Sequence, residues 1–207
     1  MIINSFSKKL FQNFDAVYPQ NNETRKYLKK LGCKNIKIIG NLKYSNYQES
    51  LKEGIKKNIF KNKIIWCASS THKTEELIAA NVHKKLKKKI KNLLTIIIPR
   101  HVNRKDEILN ALKNYKLKIH LHSSKINMRN DIDIYFVDTY GETKKFFKIS
   151  KIVFLGGSLV KHGGQNPLEA ARLGCNILHG QYTYNFSEIY SDLGKNNQAK
   201  KVYSQNH

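Results

Sequence analysis

The chain has 207 residues, which fits one large domain or one domain with part of a second. Its 40% hydrophobic and 10% aromatic residues, with only three prolines, exclude a wholly disordered polypeptide. The formal charge of +23 suggests nucleic-acid or membrane binding, but 33 of the 38 basic residues are scattered lysines and no zinc-finger or RNP-type motif accompanies them. We therefore predict no nucleic-acid function and allow a non-specific attraction to an anionic membrane surface.

Neither the apolar runs nor the cysteines indicate export or a membrane span. No run reaches the roughly 18 apolar residues that a span needs, and residues 1–15 lack the apolar core of a signal peptide. Cys33, Cys67 and Cys175 are odd in number and widely spaced, which predicts neither a disulfide framework nor a zinc site. We expect a soluble or peripheral protein with reduced thiols in the cytosol.

The first fifty residues predict a small unit of two strands and one helix. Residues 14–20 and 34–41 have strand character, and the helix between them, 21–32, ends at Gly32. Because two strands and a helix cannot bury a core alone, we expect residues 1–42 to be the tail of an N-terminal Rossmann-like domain. A polar, lysine-rich linker is predicted over 43–62, followed by the main domain over 63–207.

The main domain alternates short apolar runs with helical patterns. The runs span 63–69, 93–99, 117–122, 133–138, 151–156 and 175–180, and helices are predicted over 74–90, 103–115, 142–149, 167–173 and 186–193. In the first helix Ile78, Val82, Leu86 and Ile90 recur at every fourth residue and form the predicted apolar face. This alternation predicts an α/β fold with a doubly wound parallel sheet, whose ligands bind outside the carboxyl ends of the strands.

The residues that follow four of these runs are polar or glycine-rich. They are Ser70 to His72, Arg100 and His101, Thr139 to Glu142, and the segment 156–169. The last segment, within FLGGSLVKHGGQNPLEAARLG, has a predicted N-cap at Asn166, proline at the first helical position, and Glu169 placed to reach back to the cap, with Gly174 ending the helix. Free N–H groups and glycines suit a phosphate, but a tight strand-to-helix turn explains the same pattern.

Arg100 favours the phosphate interpretation because a guanidinium matches a phosphate geometrically and arginine is rare in this lysine-rich chain. An ion pair of Arg100 with Asp138 or Glu142 is the alternative. His72 and His101 could be phosphate donors, metal ligands or polar residues at strand ends. A metal site is not predicted, because no carboxylate at ligand spacing accompanies the two further histidines of the sheet, His120 and His122. Glu142 and Glu169 could form an acid/base pair, although hydroxyl binding suits a helix-terminal Glu169 better.

Taken together, these stretches resemble the Kdo (3-deoxy-D-manno-octulosonic acid) transferases of lipopolysaccharide synthesis. The matching stretches are GNLKY (40–44), ASSTHKTEEL (68–77), IPRHVNR (98–104), VDTYGE (137–142), FLGGSLVKHGGQNPLEAA (154–171) and HGQYTYNFSEI (179–189). The resemblance implies two Rossmann-like domains in the glycosyltransferase B arrangement, with CMP-Kdo held by the second. It places CMP contacts on Pro99, Arg100, Tyr140, Gly141, Glu142, Asn166, Pro167, Leu168 and Glu169, and further donor contacts are possible at Ser70, His72, His101, Gly156, Gly157 and Ser158.

The resemblance further implies transfer of Kdo to a lipid A precursor such as lipid IVA, with no metal or redox cofactor, at the cytoplasmic face of the inner membrane. Lys73, Thr74, Val102, Tyr140, Gln165 and Ala170 depart from the family's usual residues, and none of these changes removes a charged contact. The family's catalytic base is a glutamate early in the first domain, and no segment here matches it. We therefore expect the chain to be a donor-binding fragment or one piece of a split enzyme, also cut short at KVYSQNH. Alone it should be inactive and cytoplasmic, and a separate chain would supply the first domain.

Three alternatives remain at this point. The chain could belong to another nucleotide-sugar transferase or to an epimerase of the same fold, it could be a nucleotide-binding module without catalysis, or it could be a basic nucleic-acid binder.

Overall fold

The computed structural model describes residues 5–39 and 60–204, and the chain divides into two compact units, Met1–Ser50 and Leu51–His207. The GNLKY stretch and nearly all of the predicted linker lie outside the described residues. No helix among the described residues has both the length and the apolar content to cross a membrane.

The first unit contains two helices, α1 (Ser5–Gln12) and α2 (Asn22–Lys30). Helix α2 was predicted, and the Asn21 side chain caps it by accepting a hydrogen bond from the Thr24 N–H at 2.9 Å. Helix α1 was not predicted. The two predicted strands are reduced to a single parallel bridge between Val17 and Ile36, because one pair of strands with no further neighbour gives little cooperative support.

The second unit is built on a seven-stranded, wholly parallel sheet with the order β3-β4-β2-β1-β5-β6-β7. Its strands are β1 (Ile64–Thr71), β2 (Leu93–Pro99), β3 (Ile119–Leu121), β4 (Ile134–Phe136), β5 (Ile152–Leu155), β6 (Asn176–His179) and β7 (Ala199–Lys201). The first six confirm the predicted runs and the doubly wound α/β class. Strand β7 was not predicted, since Ala-Lys-Lys lacks a strand pattern and is extended only through its pairing with β6.

Helices cover both faces of this sheet, as a buried parallel sheet requires. They are α3 (Glu75–Lys87), α4 (Lys105–Leu112), α5 (Thr143–Phe147), α6 (Leu168–Arg172) and α7 (Ser187–Lys195). One core cluster includes Phe146 of α5 and Tyr190 of α7, and the other includes Ala79 and Ala80 of α3 with Ile108 of α4. The order of strands places the change of winding direction beside β1, so the loops after β1, β2 and β5 meet at one edge.

The prediction that the apolar face of α3 is its buried face was wrong. The helix instead buries Ala79, Ala80 and His83 against the sheet, because small side chains allow the close approach of helix and strand. The row from Ile78 to Ile90 lines an open cavity of about 850 Å³ together with Trp66 and Phe154. His83 replaces an apolar contact by bonding Thr95 Oγ1 at 2.8 Å and Asp133 at 3.3 Å.

Candidate nucleotide-binding site

Strand β1 ends in a distorted turn that joins three loops. Ser70 has a φ of +54°, and the register between β1 and β2 shifts between Ser69 and Thr71. Beyond the shift, the Arg100 N–H donates to the Thr71 carbonyl at 3.0 Å, and the Gly156 N–H donates to the Ser69 carbonyl at 2.8 Å. The polar residues that follow β1, β2 and β5 are therefore brought together at one sheet edge, as predicted from the alternation of elements.

A buried carboxylate, Glu75, holds the glycine-rich loop from inside. Its side chain accepts hydrogen bonds from the backbone N–H groups of His72 at 2.8 Å, Gly157 at 2.8 Å, Ser158 at 3.2 Å and Leu159 at 3.0 Å. Glu75 is fully buried. The N–H groups of Gly157 and Ser158, two of the possible further donor contacts, are therefore bonded within the protein, and the Gly156 N–H is bonded in the sheet.

The second glycine pair serves close packing. A Cβ on Gly163, which has a φ of +101°, would lie 2.4 Å from Asn185 Nδ2, so only glycine fits against the segment 182–185. The loop is fixed there by hydrogen bonds from Asn185 N to the Gly163 carbonyl at 3.1 Å and from Gly164 N to the Gly157 carbonyl at 2.8 Å. The two glycine pairs thus build the wall of the site.

Helix α6 begins one residue later than predicted, with Pro167 rather than Asn166 as its N-cap and Leu168 as its first residue. Asn166 Oδ1 accepts from the Leu168 N–H at 3.1 Å, and Gly174, with a φ of +75°, follows the end of the helix. Glu169 does not reach back to the cap, because its carboxylate lies 3.5 Å from the Lys144 ammonium of α5. Its side chain is 39% exposed, which leaves it accessible to a ligand hydroxyl.

The loop after β4 presents Tyr140, Gly141 and Glu142. Tyr140 is 71% exposed, and Gly141 has a φ of +82° with open space where a Cβ would lie. Asp138 anchors the start of this loop by accepting from the Ser123 N–H and hydroxyl at 2.9 and 2.6 Å. Burial works to raise the pKa of Asp138, but these hydrogen bonds prevail and hold it below its ordinary value. Glu142 pairs with Lys145 at 2.9 Å.

Arg100 is exposed at the end of β2, and no carboxylate of the described residues pairs with its guanidinium. The alternative of an ion pair with Asp138 or Glu142 was wrong, because Lys105 lies 3.8 Å from Asp138 and Lys145 pairs with Glu142. Pro99, directly before it, is buried in β2. The backbone of Arg100 is held by its N–H bond to the Thr71 carbonyl, and Arg104, four residues further on, bonds the buried Glu76 of α3 at 3.0 Å.

Three imidazoles lie together beside these loops. The His72 ring centroid is 4.1 Å from that of His162 and 6.0 Å from that of His101. Burial, with help from His162, lowers the pKa of His72 to about 4. Sequence reasoning selected His72 and His101 but missed His162, which sits between the glycine pairs. Within residues 5–39 and 60–204, no group of three metal-ligating side chains could hold a metal ion, and His122 bonds the Tyr135 hydroxyl.

No protein-family profile matches this chain. A 3-deoxy-D-manno-octulosonic acid transferase of Haemophilus influenzae is 32% identical over 197 residues, 92% of this chain and 46% of that protein. The transferase of the same name from Rickettsia bellii is 34% identical over 84% of this chain and 42% of its own length. A bifunctional glycosyltransferase/methyltransferase of Fusobacterium nucleatum is 31% identical over 90% of this chain and 30% of its own length. The chain spans about half the length of the transferase relatives.

Among solved structures, the C-terminal CMP-Kdo binding domain of WaaA from Acinetobacter baumannii matches with a TM-score of 0.67 and 26% identity, over 70% of this chain and 76% of that domain. A UDP-N-acetylglucosamine 2-epimerase structure from Listeria monocytogenes matches with a TM-score of 0.52 and 15% identity, over 93% of this chain and 48% of that one, and so shares the fold. The chain is therefore an α/β protein of the glycosyltransferase B type. Its relatives in sequence include Kdo transferases, as the matched stretches predicted.

Proposed function

We propose that this chain supplies the donor-binding part of a Kdo transferase, which moves Kdo from CMP-Kdo to a hydroxyl of a lipid A precursor such as lipid IVA. The observation that supports the proposal best is Arg100, an exposed guanidinium without a carboxylate partner among the described residues, at the junction of three ordered loops. Planar guanidinium groups suit phosphate oxygens, and the matched solved domain is described as binding CMP-Kdo.

In the proposed reaction, Arg100 and the start of α6 bind the phosphate of CMP. As the bond between Kdo and phosphate breaks, negative charge develops on CMP, and these groups stabilise the leaving group electrostatically. Glu142 and Glu169 accept hydrogen bonds from nucleotide hydroxyls, and Tyr140, Gly141, Asn166, Pro167 and Leu168 shape the surrounding surface. We expect the base that removes the acceptor's proton to be a carboxylate of the first domain.

We further propose that the complete enzyme works peripherally at the cytoplasmic face of the inner membrane, where its acceptor is embedded. Thirty-eight basic against fifteen acidic residues give the chain a charge that an anionic lipid surface attracts. This attraction is non-specific and positions the enzyme, while the site described above selects the donor.

Calorimetric titration with CMP and with UDP tests the donor class. We expect CMP to bind with weak affinity and UDP to bind more weakly, and Arg100→Ala to weaken CMP binding roughly tenfold to a hundredfold. Arg129→Ala is the matched control, because Arg129 is exposed and pairs with Asp131 outside the site. A well-folded protein that does not bind CMP would contradict the proposal, and tighter binding of UDP than of CMP would favour another nucleotide-sugar transferase or an epimerase. Complementation with a first domain supplied in trans separates an enzyme part from a binding module without catalysis.

A further inference from the structure

The histidine cluster, defined as His72, His101 and His162, is not used in the proposed binding of the CMP phosphate. It is drawn from three loops, since His72 follows β1, His101 follows β2 and His162 lies between the glycine pairs. Its rings lie against the glycine loop: a Cβ on Gly157 would be 3.1 Å from both the His162 and the His72 ring. Three imidazoles therefore lie together, and one of their nitrogens, His72 Nε2, has no hydrogen-bond partner. A ligand would supply that partner.

The tautomer of His72 follows from its hydrogen bond. Nδ1 lies 3.1 Å from the Ser70 carbonyl oxygen, and because a carbonyl can only accept, Nδ1 carries the proton. Nε2 then holds a lone pair, and it is buried with no hydrogen-bond partner. Such a nitrogen is costly to bury unless a ligand bonds it when the site is in use.

The charged surroundings of His72 favour an anion. His162, His101 and Arg100 all disfavour the protonated ring electrostatically, and the pKa of His72 is about 4 in the free protein. The acidic neighbour on α3, Glu75, directs its oxygens at four backbone N–H groups. A negative group that enters beside the rings would offset this repulsion and make a doubly protonated His72 favourable.

We propose that the histidine cluster binds the carboxylate of the donor's sugar acid, and that His72 takes up one proton at Nε2 from solvent as the carboxylate enters. The proposal rests on the proposed function, since that donor carries two anionic groups, a phosphodiester for Arg100 and a carboxylate for the cluster. No covalent bond of the donor changes in this step. CMP has the phosphate but no carboxylate, so it engages Arg100 and leaves the cluster empty.

The test is calorimetry of CMP-Kdo and CMP binding in buffers of different ionisation enthalpy at about pH 6.5, which counts the protons taken up. We compare the wild type with His72→Asn, whose amide can still donate to the Ser70 carbonyl, and with His72→Gln. With CMP-Kdo we expect the wild type to take up protons that both variants do not, and the variants to bind this donor roughly tenfold more weakly, the loss of one charge-assisted hydrogen bond. Their CMP affinity should change less than about twofold.

His120→Asn is the control, because His120 lies on β3 and packs beside Tyr135, and it should keep the wild-type uptake. Donor binding with the same proton uptake in the wild type and in His72→Asn would overturn the inference but not the proposed function. An equal loss of proton uptake in His120→Asn would do the same. Absence of both CMP and CMP-Kdo binding by folded wild-type protein would overturn the proposed function and the inference with it. Thermal unfolding and CMP titration of each variant show that the compared proteins are folded.

Discussion

The glycine loop after β5 and the rim formed by Arg100, Tyr140 and α6 lie at the same sheet edge but satisfy their polar groups differently. In the loop, three consecutive N–H groups from Gly157 to Leu159 bond the internal carboxylate of Glu75. On the rim, the Arg100 guanidinium has no carboxylate partner among the described residues. The protein itself satisfies the polar groups of the loop, whereas the guanidinium on the rim remains accessible to a ligand. Substitutions in the loop should therefore affect stability, and substitutions on the rim should affect binding.

The largest effect is expected from Glu75→Gln. The amide group can present one oxygen at most to the four N–H donors, so buried donors lose their partner, and each loss costs about 1–3 kcal/mol. We expect the free energy of unfolding, measured with urea, to fall by roughly 3 kcal/mol or more. Glu107→Gln is the control, because its 51% exposed side chain makes only a surface pair with Arg104, and it should change stability by less than about 1 kcal/mol. Equal losses in the two variants would contradict the role given to Glu75.

An intermediate effect, on binding alone, is expected from Arg100→Ala. Removal of a charged hydrogen-bond donor should weaken CMP binding roughly tenfold to a hundredfold, whereas the urea midpoint should stay within error of the wild type. Arg100→Lys should recover part of the affinity through its charge but not the forked geometry. A large loss of stability in Arg100→Ala would show that the rim, like the loop, is held together by its own contacts.

The smallest effect concerns pH. The pKa of His72 in the folded protein is about 4, below its ordinary 6.5, chiefly through burial and then through His162. Because the unfolded chain binds this proton more tightly, the contribution to stability is complete above pH 6.5 and is lost as pH falls toward 4. The fall in urea midpoint between about pH 7 and about pH 4.5 should be smaller in His72→Asn than in the wild type, and intermediate in His162→Asn. A fall as steep in His72→Asn as in the wild type would show that other groups carry the dependence.

Most of the sheet could be predicted from the sequence because its strands are short, continuous apolar runs separated by helices. The hydrogen bond between Asn166 and Leu168 was predictable for the same local reason, since the two residues are two apart, although α6 begins one residue later than predicted. The role of Glu75 was not, because an acidic residue in the first turn of a helix already complements the helix dipole. Its decisive partners, the amides of Gly157 to Leu159, lie more than 80 residues further along the chain.

The orientation of α3 was mispredicted for a related reason. A row of isoleucine, valine and leucine at every fourth residue predicts the buried face, yet Ala79 and Ala80 face the sheet. The helix approaches the strands closely enough that His83 contacts Thr95, and the larger side chains line the cavity beside Trp66. The hydrophobic pattern alone does not show which face of the helix must carry small side chains to pack on the sheet.

The internal carboxylate of Glu75 also bears on how quickly a donor can be captured. If a loop becomes ordered only when its amides bind a phosphate, the entropy lost in ordering the loop reduces affinity and slows association. Here the loop adopts its shape around Glu75 before any ligand arrives. The entropy lost on capture is then mainly that of the nucleotide itself, so the encounter rate should be governed by diffusion and by the attraction of a cationic rim for a dissolved anion.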